Sequence, residues 1–276
     1  MRLNLTFTFL FFTLVFVLFG CRTIDVTEND VFDAHRTITP ATFDIDAYQF
    51  EGIRISTPDN EVLDAWLLTR EDAVATVVYF GGNGALMIKS RPLIQAYTTV
   101  PVNLLLFDYR GYGLSTGDPT VNGIYEDARA VFQYAINEAP VSTERIYIHG
   151  HSMGAFLSAM IADEYEVNGY ILESPVTNVD QWTKRMVPWA LRLFVRFNID
   201  EEVKAQNNLD RVSRVSSPLL ILSGTGDTVT PPRMAEELYD QSVSERKKLA
   251  RISGGGHNNL PNAASYRQAL REFYRQ

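Results

Sequence analysis

The most constraining feature of this chain is a nine-residue stretch, Tyr-Ile-His-Gly-His-Ser-Met-Gly-Ala at 147–155, in which a β-favouring run ends at a serine flanked two positions away on each side by glycine. A strand that turns directly into a helix brings its own backbone into contact across the turn, and side chains at Gly150 and Gly154 would collide there. The spacing predicts a strand–serine–helix elbow with the Ser152 hydroxyl held out of the backbone. An ordinary glycine turn can carry the same letters, so the remainder of the chain has to decide.

From Ile53 onward, short β-rich runs alternate with helical ones, the pattern of an α/β fold with a largely parallel sheet. "EGIRIST" and "VLDAWLLT", separated by "PDNE", predict an antiparallel hairpin, and "ATVVYFGG", "VNLLLFDYR", "ERIYIHG", "NGYILES", "PLLILSG" and "KKLARI" predict the following strands. Apolar residues recur at helical spacing over 124–138 and 153–166, with Asn122 placed to cap the first helix, and the C-terminal tail reads as an amphipathic helix. The expected fold is a mostly parallel eight-stranded sheet flanked by helices, with Ser152 after the fifth core strand. The segment from about 176 to 216 is too long for a typical connection and too aromatic for a disordered loop, so it predicts a short helical cap. Trp182, Met186, Trp189, Leu193, Phe194 and Phe197 either line an apolar pocket above Ser152 or pack the cap onto the core.

The 276 residues, 46% apolar and 21% charged, suffice for one sizeable core over 51–276. A net charge of −8 without a basic stripe argues against nucleic acid as a partner, and no Cys/His cluster has metal-ligand spacing. Residues 1–20 differ from all that follows: Arg2, then a Phe/Leu/Val-rich stretch, then Leu18-Phe19-Gly20 before Cys21, the sole cysteine. This has the layout of an export signal, and Cys21 stands where a bacterial lipoprotein signal places its lipidated residue. A plain cleaved signal or a retained anchor are the alternatives. A lipid-anchored domain follows from the first reading, with 21–50 as linker and lead-in. Arg22 after the cysteine resembles the Gram-negative sorting pattern for the periplasmic side of the outer membrane.

A serine hydroxyl is a weak nucleophile at neutral pH and needs a base, itself oriented by a third group. Of four histidines, His35 precedes the core, and His149 and His151 are tied to the elbow strand, where His151 is expected to point away from Ser152. His257, in "SGGGHNN" after the last strand, is the candidate base. Asp227, in "GTGDTVTP" after the seventh core strand, is the candidate acid, and the order Ser152, Asp227, His257 is the one this strand plan requires. Glu173, ending the sixth strand, competes for the acid role. Backbone N–H groups of Met153, following the serine, and of Asn83, in the glycine-rich loop "YFGGNGA", are the candidate oxyanion donors. None of these roles calls for a cofactor or a metal.

"YFGGNG", "FDYRGYGLSTGDPT", "IYEDARAVFQYA", "GHSMG", "GTGDTVTP" and "GGGHNN" together resemble the α/β-hydrolase-fold serine hydrolases, in particular a subgroup that includes membrane-associated protein depalmitoylases and bacterial serine aminopeptidase-like hydrolases. The match runs from about Ile53 to the C-terminus. Gly81 stands where that subgroup usually carries histidine, and the resemblance makes Asp108 a scaffold residue. It implies cleavage of a small-molecule or lipid-like ester or thioester through an acyl-enzyme. A peptidase or amidase, or a catalytically silent envelope binding protein, are the other readings. Dehalogenase and epoxide hydrolase chemistry needs an aspartate where Ser152 stands.

Overall fold

A computed structural model describes residues 22–36, 45–137, 145–187, 192 and 194–275. In chain order the strands are β1 (Arg22–Val26), β2 (Gln49–Ser56), β3 (Val62–Thr69), β4 (Ala75–Phe80), β5 (Val102–Phe107), β6 (Ile146–His151), β7 (Gly169–Glu173), β8 (Val195–Ile199), β9 (Leu219–Gly224) and β10 (Lys247–Ile252). The helices are α1 (Glu28–Val31), α2 (Arg91–Tyr97), α3 (Val121–Asn137), α4 (Met153–Glu164), α5 (Val179–Met186), α6 (Glu201–Lys204), α7 (Asn208–Val212), α8 (Pro232–Gln241) and α9 (Ala264–Tyr274). Eight strands form one sheet in the order β10-β9-β7-β6-β4-β5-β3-β2. The β2–β3 and β3–β5 pairs are antiparallel and the other neighbours parallel. This is the α/β-hydrolase arrangement, with Ser152 directly after the fifth strand of the sheet.

The central strands are buried along their whole length because helices cover both faces, which is why they read as continuous apolar runs. On one face α3 and α4 pack Ile124, Val131, Leu157 and Ile161 with Val78, Ile148 and Leu172. On the other, α2 and α9 pack Leu93, Tyr97, Tyr266 and Phe273 with Val77, Leu104, Tyr147 and Ile171. The chain order reverses between β4 and β6, so the loops leaving these adjacent strands diverge and open a crevice at their carboxyl ends. Conserving that crevice is a local scaffold: buried Asp108 accepts the Met87 N–H at 2.7 Å, and Arg110 is clamped by Asp127 and Asp59, each at 2.7–2.8 Å.

Two expectations change. The first turn of α3 is capped by Thr120, whose Oγ1 accepts the Gly123 N–H at 3.0 Å, and Asn122 lies inside the helix. The region expected as a helical cap is mixed: α5, α6 and α7 are short, and between them β8 pairs in parallel with β1, Ile24 opposite Phe197. Local periodicity could not reveal this pairing, because the partner strand lies far away in the sequence. Part of the N-terminal lead-in thus belongs to the cap, where Val26, Val31 and Phe32 pack with Phe156, Val176, Val179, Ile199 and Val203. Among the described residues no helix is long and apolar enough to cross a membrane. The leader 1–20, Cys21 and Trp189 lie outside the described residues.

The closest backbone approach is at the elbow. A Cβ on Gly150 would stand 2.0 Å from the Gly154 carbonyl oxygen, and one on Gly154 would stand 2.0 Å from that of Phe80. No rigid backbone can yield that much without separating β4, β6 and α4. Gly154→Ala is therefore expected to cost about 3 kcal/mol or more in urea unfolding, as severe overpacking does. Gly52→Ala, where nothing lies within 4 Å, should stay within about 0.5 kcal/mol of the parent. Equal effects of the two substitutions would contradict this account of the elbow.

Candidate active site

Ser152 sits at φ 53° and ψ −111°, in a left-handed conformation that a non-glycine residue adopts only when its surroundings impose it. Its N–H donates to the Glu173 carbonyl at 2.9 Å, tying the turn to the end of β7. The next residue on from Glu173, Ser174, is also in the left-handed region, at φ 46°. Two strained residues thus lie side by side where β6 and β7 leave the sheet.

Ser152 Oγ is 2.9 Å from His257 Nε2, and His257 Nδ1 is 2.9 Å from Asp227 Oδ2. The histidine comes from the glycine-rich loop after β10 and the aspartate from the turn after β9. Asp227 builds that turn itself: Oδ1 accepts the N–H groups of Val229 and Thr230, both at 2.9 Å. Thr230 Oγ1 lies 2.8 Å from Asp227 Oδ2, 3.0 Å from the Ser174 carbonyl and 3.2 Å from His257 Nδ1, so it braces both partners. The Asp227 side chain has no solvent exposure. Burial by itself pushes its carboxyl up, but the bonds from His257 and Thr230 outweigh that and hold it at about 2. The anion is therefore kept beside Nδ1, which fixes the ring with Nε2 toward the serine hydroxyl. Such a chain can carry the hydroxyl proton away as the oxygen attacks.

Glu173, the competing carboxylate, is engaged elsewhere. Its Oε2 accepts from His149 Nε2 at 2.9 Å and from the Tyr266 hydroxyl at 2.7 Å. His151 does not point out of the site. Its Nε2 reaches the His257 carbonyl at 2.9 Å, and the two rings lie 5.1 Å apart. The reason is the β4 loop, since a Cβ on Gly82 would meet His151 Nδ1 at 2.7 Å; the loop backbone presses against the ring and holds it in the wall.

A cavity of about 560 Å³ opens over Ser152, lined by Asn83, Met153 and His257 around the hydroxyl. Met153 is the first residue of α4, so its N–H has no partner within the helix. Asn83 is held by its side chain, with Oδ1 accepting from the Asp33 N–H and the Tyr112 hydroxyl and Nδ2 donating to the Val31 carbonyl. These bonds fix the backbone of the loop. Trp182 lines the cavity; Phe197 packs in the adjoining cap cluster and Phe194 is half-buried. Sequence reasoning missed Val26 and Val31 in the cavity wall, since nothing local in the lead-in marks them. It also missed Thr230, although an aspartate followed three residues later by threonine is a recognisable turn signature.

The sequence pattern of one family, described as serine aminopeptidase S33, matches residues 71–214 and 201–262. The YfhR protein of Salmonella typhimurium is 30% identical over 243 residues, 81% of this chain and 80% of that protein. The bem46 protein of Schizosaccharomyces pombe is 25% identical, over 85% of this chain and 79% of its own length. Among solved structures, an esterase of Pyrococcus furiosus superposes with a TM-score of 0.73 at 22% identity, covering 89% of this chain and 97% of that one. The Est1E protein of Butyrivibrio proteoclasticus, solved with ferulic acid bound, gives 0.66 at 20% identity, with 81% and 100% coverage. These two structures share the fold.

The depressed Asp227 carboxyl has a thermodynamic signature. With a native value of about 2 against an ordinary 3.8, the anion's contribution is fully present above pH 4 and is lost as pH falls from 4 toward 2. The stability difference between the parent and Asp227→Asn should shrink by about 2 kcal/mol over that interval, measured by urea unfolding at successive pH values. A difference independent of pH would contradict the assigned environment.

Proposed function

The chain belongs to the serine aminopeptidase S33 family of α/β hydrolases, and from that membership we propose that it cleaves carboxylic esters or thioesters through an acyl-enzyme on Ser152. The observation that carries this reading is the unbroken hydrogen-bonded series Ser152, His257, Asp227 at the floor of a largely apolar cavity. As Ser152 Oγ bonds the carbonyl carbon, His257 Nε2 takes its proton and the carbonyl π pair moves onto oxygen. The N–H groups of Met153 and Asn83 receive that oxyanion. Collapse breaks the bond to the leaving alcohol or thiol, which takes the proton from His257. Water then repeats the sequence on the acyl-enzyme, with His257 as base, and releases the acid. Asp227 remains an anion throughout and stabilises the imidazolium.

Esters are placed ahead of amides because the cap side of the cavity, with Val26, Phe156, Val176, Val179 and Trp182, offers apolar surface to an acyl chain. The likeness to a Pyrococcus furiosus esterase supports the same choice. The family's description as aminopeptidases supports the amidase alternative. The protein is further proposed to be a lipoprotein of a bacterial envelope, anchored through Cys21. Val26, in the cavity wall, lies five positions beyond that residue, so such an anchor would hold the cavity close to a bilayer carrying lipid-like esters or acylated proteins.

One panel tests the chemistry: p-nitrophenyl esters from acetate to palmitate alongside aminoacyl amides. The parent should turn over esters, with kcat/KM rising up to about fourfold per added methylene until the cavity is full. Ser152→Ala should abolish turnover, and Trp182→Ala should flatten the chain-length dependence while leaving acetate nearly unchanged. Turnover of amides alone would favour the peptidase reading, and equal loss on acetate and octanoate in Trp182→Ala would show that the ring only holds the cap. For the anchor, Cys21→Ser should stop incorporation of labelled fatty acid in a bacterial host; unchanged labelling would refute it.

A further inference from the structure

The second carboxylate at the cavity has no part in the proposed reaction, yet it is a buried charge of the kind a fold retains only at a cost. Its hydrogen bonds come from a buried histidine, itself bonded to a tyrosine, and from a second tyrosine. His149, wholly buried, has Nδ1 2.8 Å from the Tyr97 hydroxyl and Nε2 2.9 Å from Glu173 Oε2. The Tyr97 hydroxyl lies 3.2 Å from the Tyr274 hydroxyl. These groups form one continuous hydrogen-bonded series, Tyr274, Tyr97, His149, Glu173, in which His149 Nε2–H donates to the Glu173 carboxylate. The Tyr266 hydroxyl donates to the same Oε2. Glu173 is the acceptor at the end of the series, a place that suits a carboxylate. Burial pushes its carboxyl up, and the bonds from His149 and Tyr266 with the nearby imidazoles bring it below the ordinary range.

Both donors converge on Oε2. Among the described residues Oε1 receives none, although the side chain is only 3% exposed and Glu173 lines the cavity. The register explains where that oxygen stands. His151 is opposite Glu173 across β6 and β7, and both lie on the sheet face covered by α2 and α9, away from α4. The cavity therefore has two sides about Ser152: an apolar one under the cap, and one toward α2 whose wall includes Tyr79, His151 and Glu173. Lys89 also borders the cavity but is exposed to water, where its charge is screened; Glu173 is not.

We propose that Glu173 Oε1 is a substrate-recognition group that accepts a hydrogen bond from an ammonium or similarly strong donor on the leaving alcohol, while the acyl chain occupies the cap side. The assignment rests on the ester-hydrolase reading of the site and adds the class of alcohol. A buried acceptor left without a donor penalises a substrate that cannot supply one far more than an apolar wall penalises a missing methylene.

The test compares two butyrate esters of matching shape, 2-(dimethylamino)ethyl butyrate, protonated at neutral pH, and 3-methylbutyl butyrate, on the full-length protein. The parent should favour the ammonium ester by about tenfold or more in kcat/KM, chiefly through KM. Glu173→Gln keeps one oxygen for His149 and Tyr266 and turns an amide N–H toward the cavity. It should abolish the preference while changing the neutral ester less than about threefold. If the variant does not fold, product inhibition of the parent serves: 2-(dimethylamino)ethanol should inhibit at least about tenfold better than 3-methylbutanol. A parent that cleaves both esters equally, or a Glu173→Gln that loses both in proportion, overturns the proposal and leaves the hydrolase reading standing. A parent that cleaves neither ester overturns both.

Discussion

Everything in this structure hangs on one backbone contact, the approach of α4 to β4 and β6 across the elbow. With Gly154 pressed against the Phe80 carbonyl and Gly150 against Gly154, there is no room for a relaxed turn, and Ser152 takes up the left-handed strain. The strain is sustained by what surrounds it: the Ser152 N–H is bound to β7, and the helix that follows is buried against the sheet. That contact sets the position of the hydroxyl and, with it, the place to which the loops after β4, β9 and β10 must converge. Rigid strands deliver those loops, so the residues of the site are placed by the sheet, with only the last few residues of each loop left to adjust.

Two buried carboxylates meet this site, and their partners separate their roles. Asp227 closes its own turn, takes bonds from Val229, Thr230 and His257, and has both oxygens occupied. Glu173 draws its donors from a tyrosine–histidine series below the sheet end and concentrates them on one oxygen. The first arrangement suits an anion that orients a neighbouring base; the second leaves an acceptor available to whatever fills the cavity. The same functional group, at the ends of adjacent strands, is thus given different work by the donors that reach it.

The sheet and the elbow were legible because their signals are local. Continuous apolar runs mark strands buried on both faces, and the two glycines around Ser152 record a steric demand within a few residues. Asp227 and His257 could be placed because the strand plan assigns them to particular loops. What escaped was set by contacts between distant segments. The segment 176–216 reads as a helical cap with no sign of β8, since its partner β1 lies at the other end of the chain, and nothing local to Val26 and Val31 marks the lead-in as closing over the cavity. The direction of His151 depends on the β4 loop pressing on it, and the satisfaction of Glu173 on tyrosines from α2 and α9. Neither has a signature in its own stretch of sequence.

The central claim is that the elbow and the hydrogen-bonded series behind it make Ser152, among all the serines of the chain, the reactive one. Peptide mapping by mass spectrometry after treatment with a fluorophosphonate probe tests this directly. The account predicts one adduct per chain, on the peptide containing Gly150 to Gly154 and localised to Ser152 Oγ, and none in His257→Ala under the same exposure. An adduct on another residue, or one on Ser152 that forms as fast without His257, would contradict it.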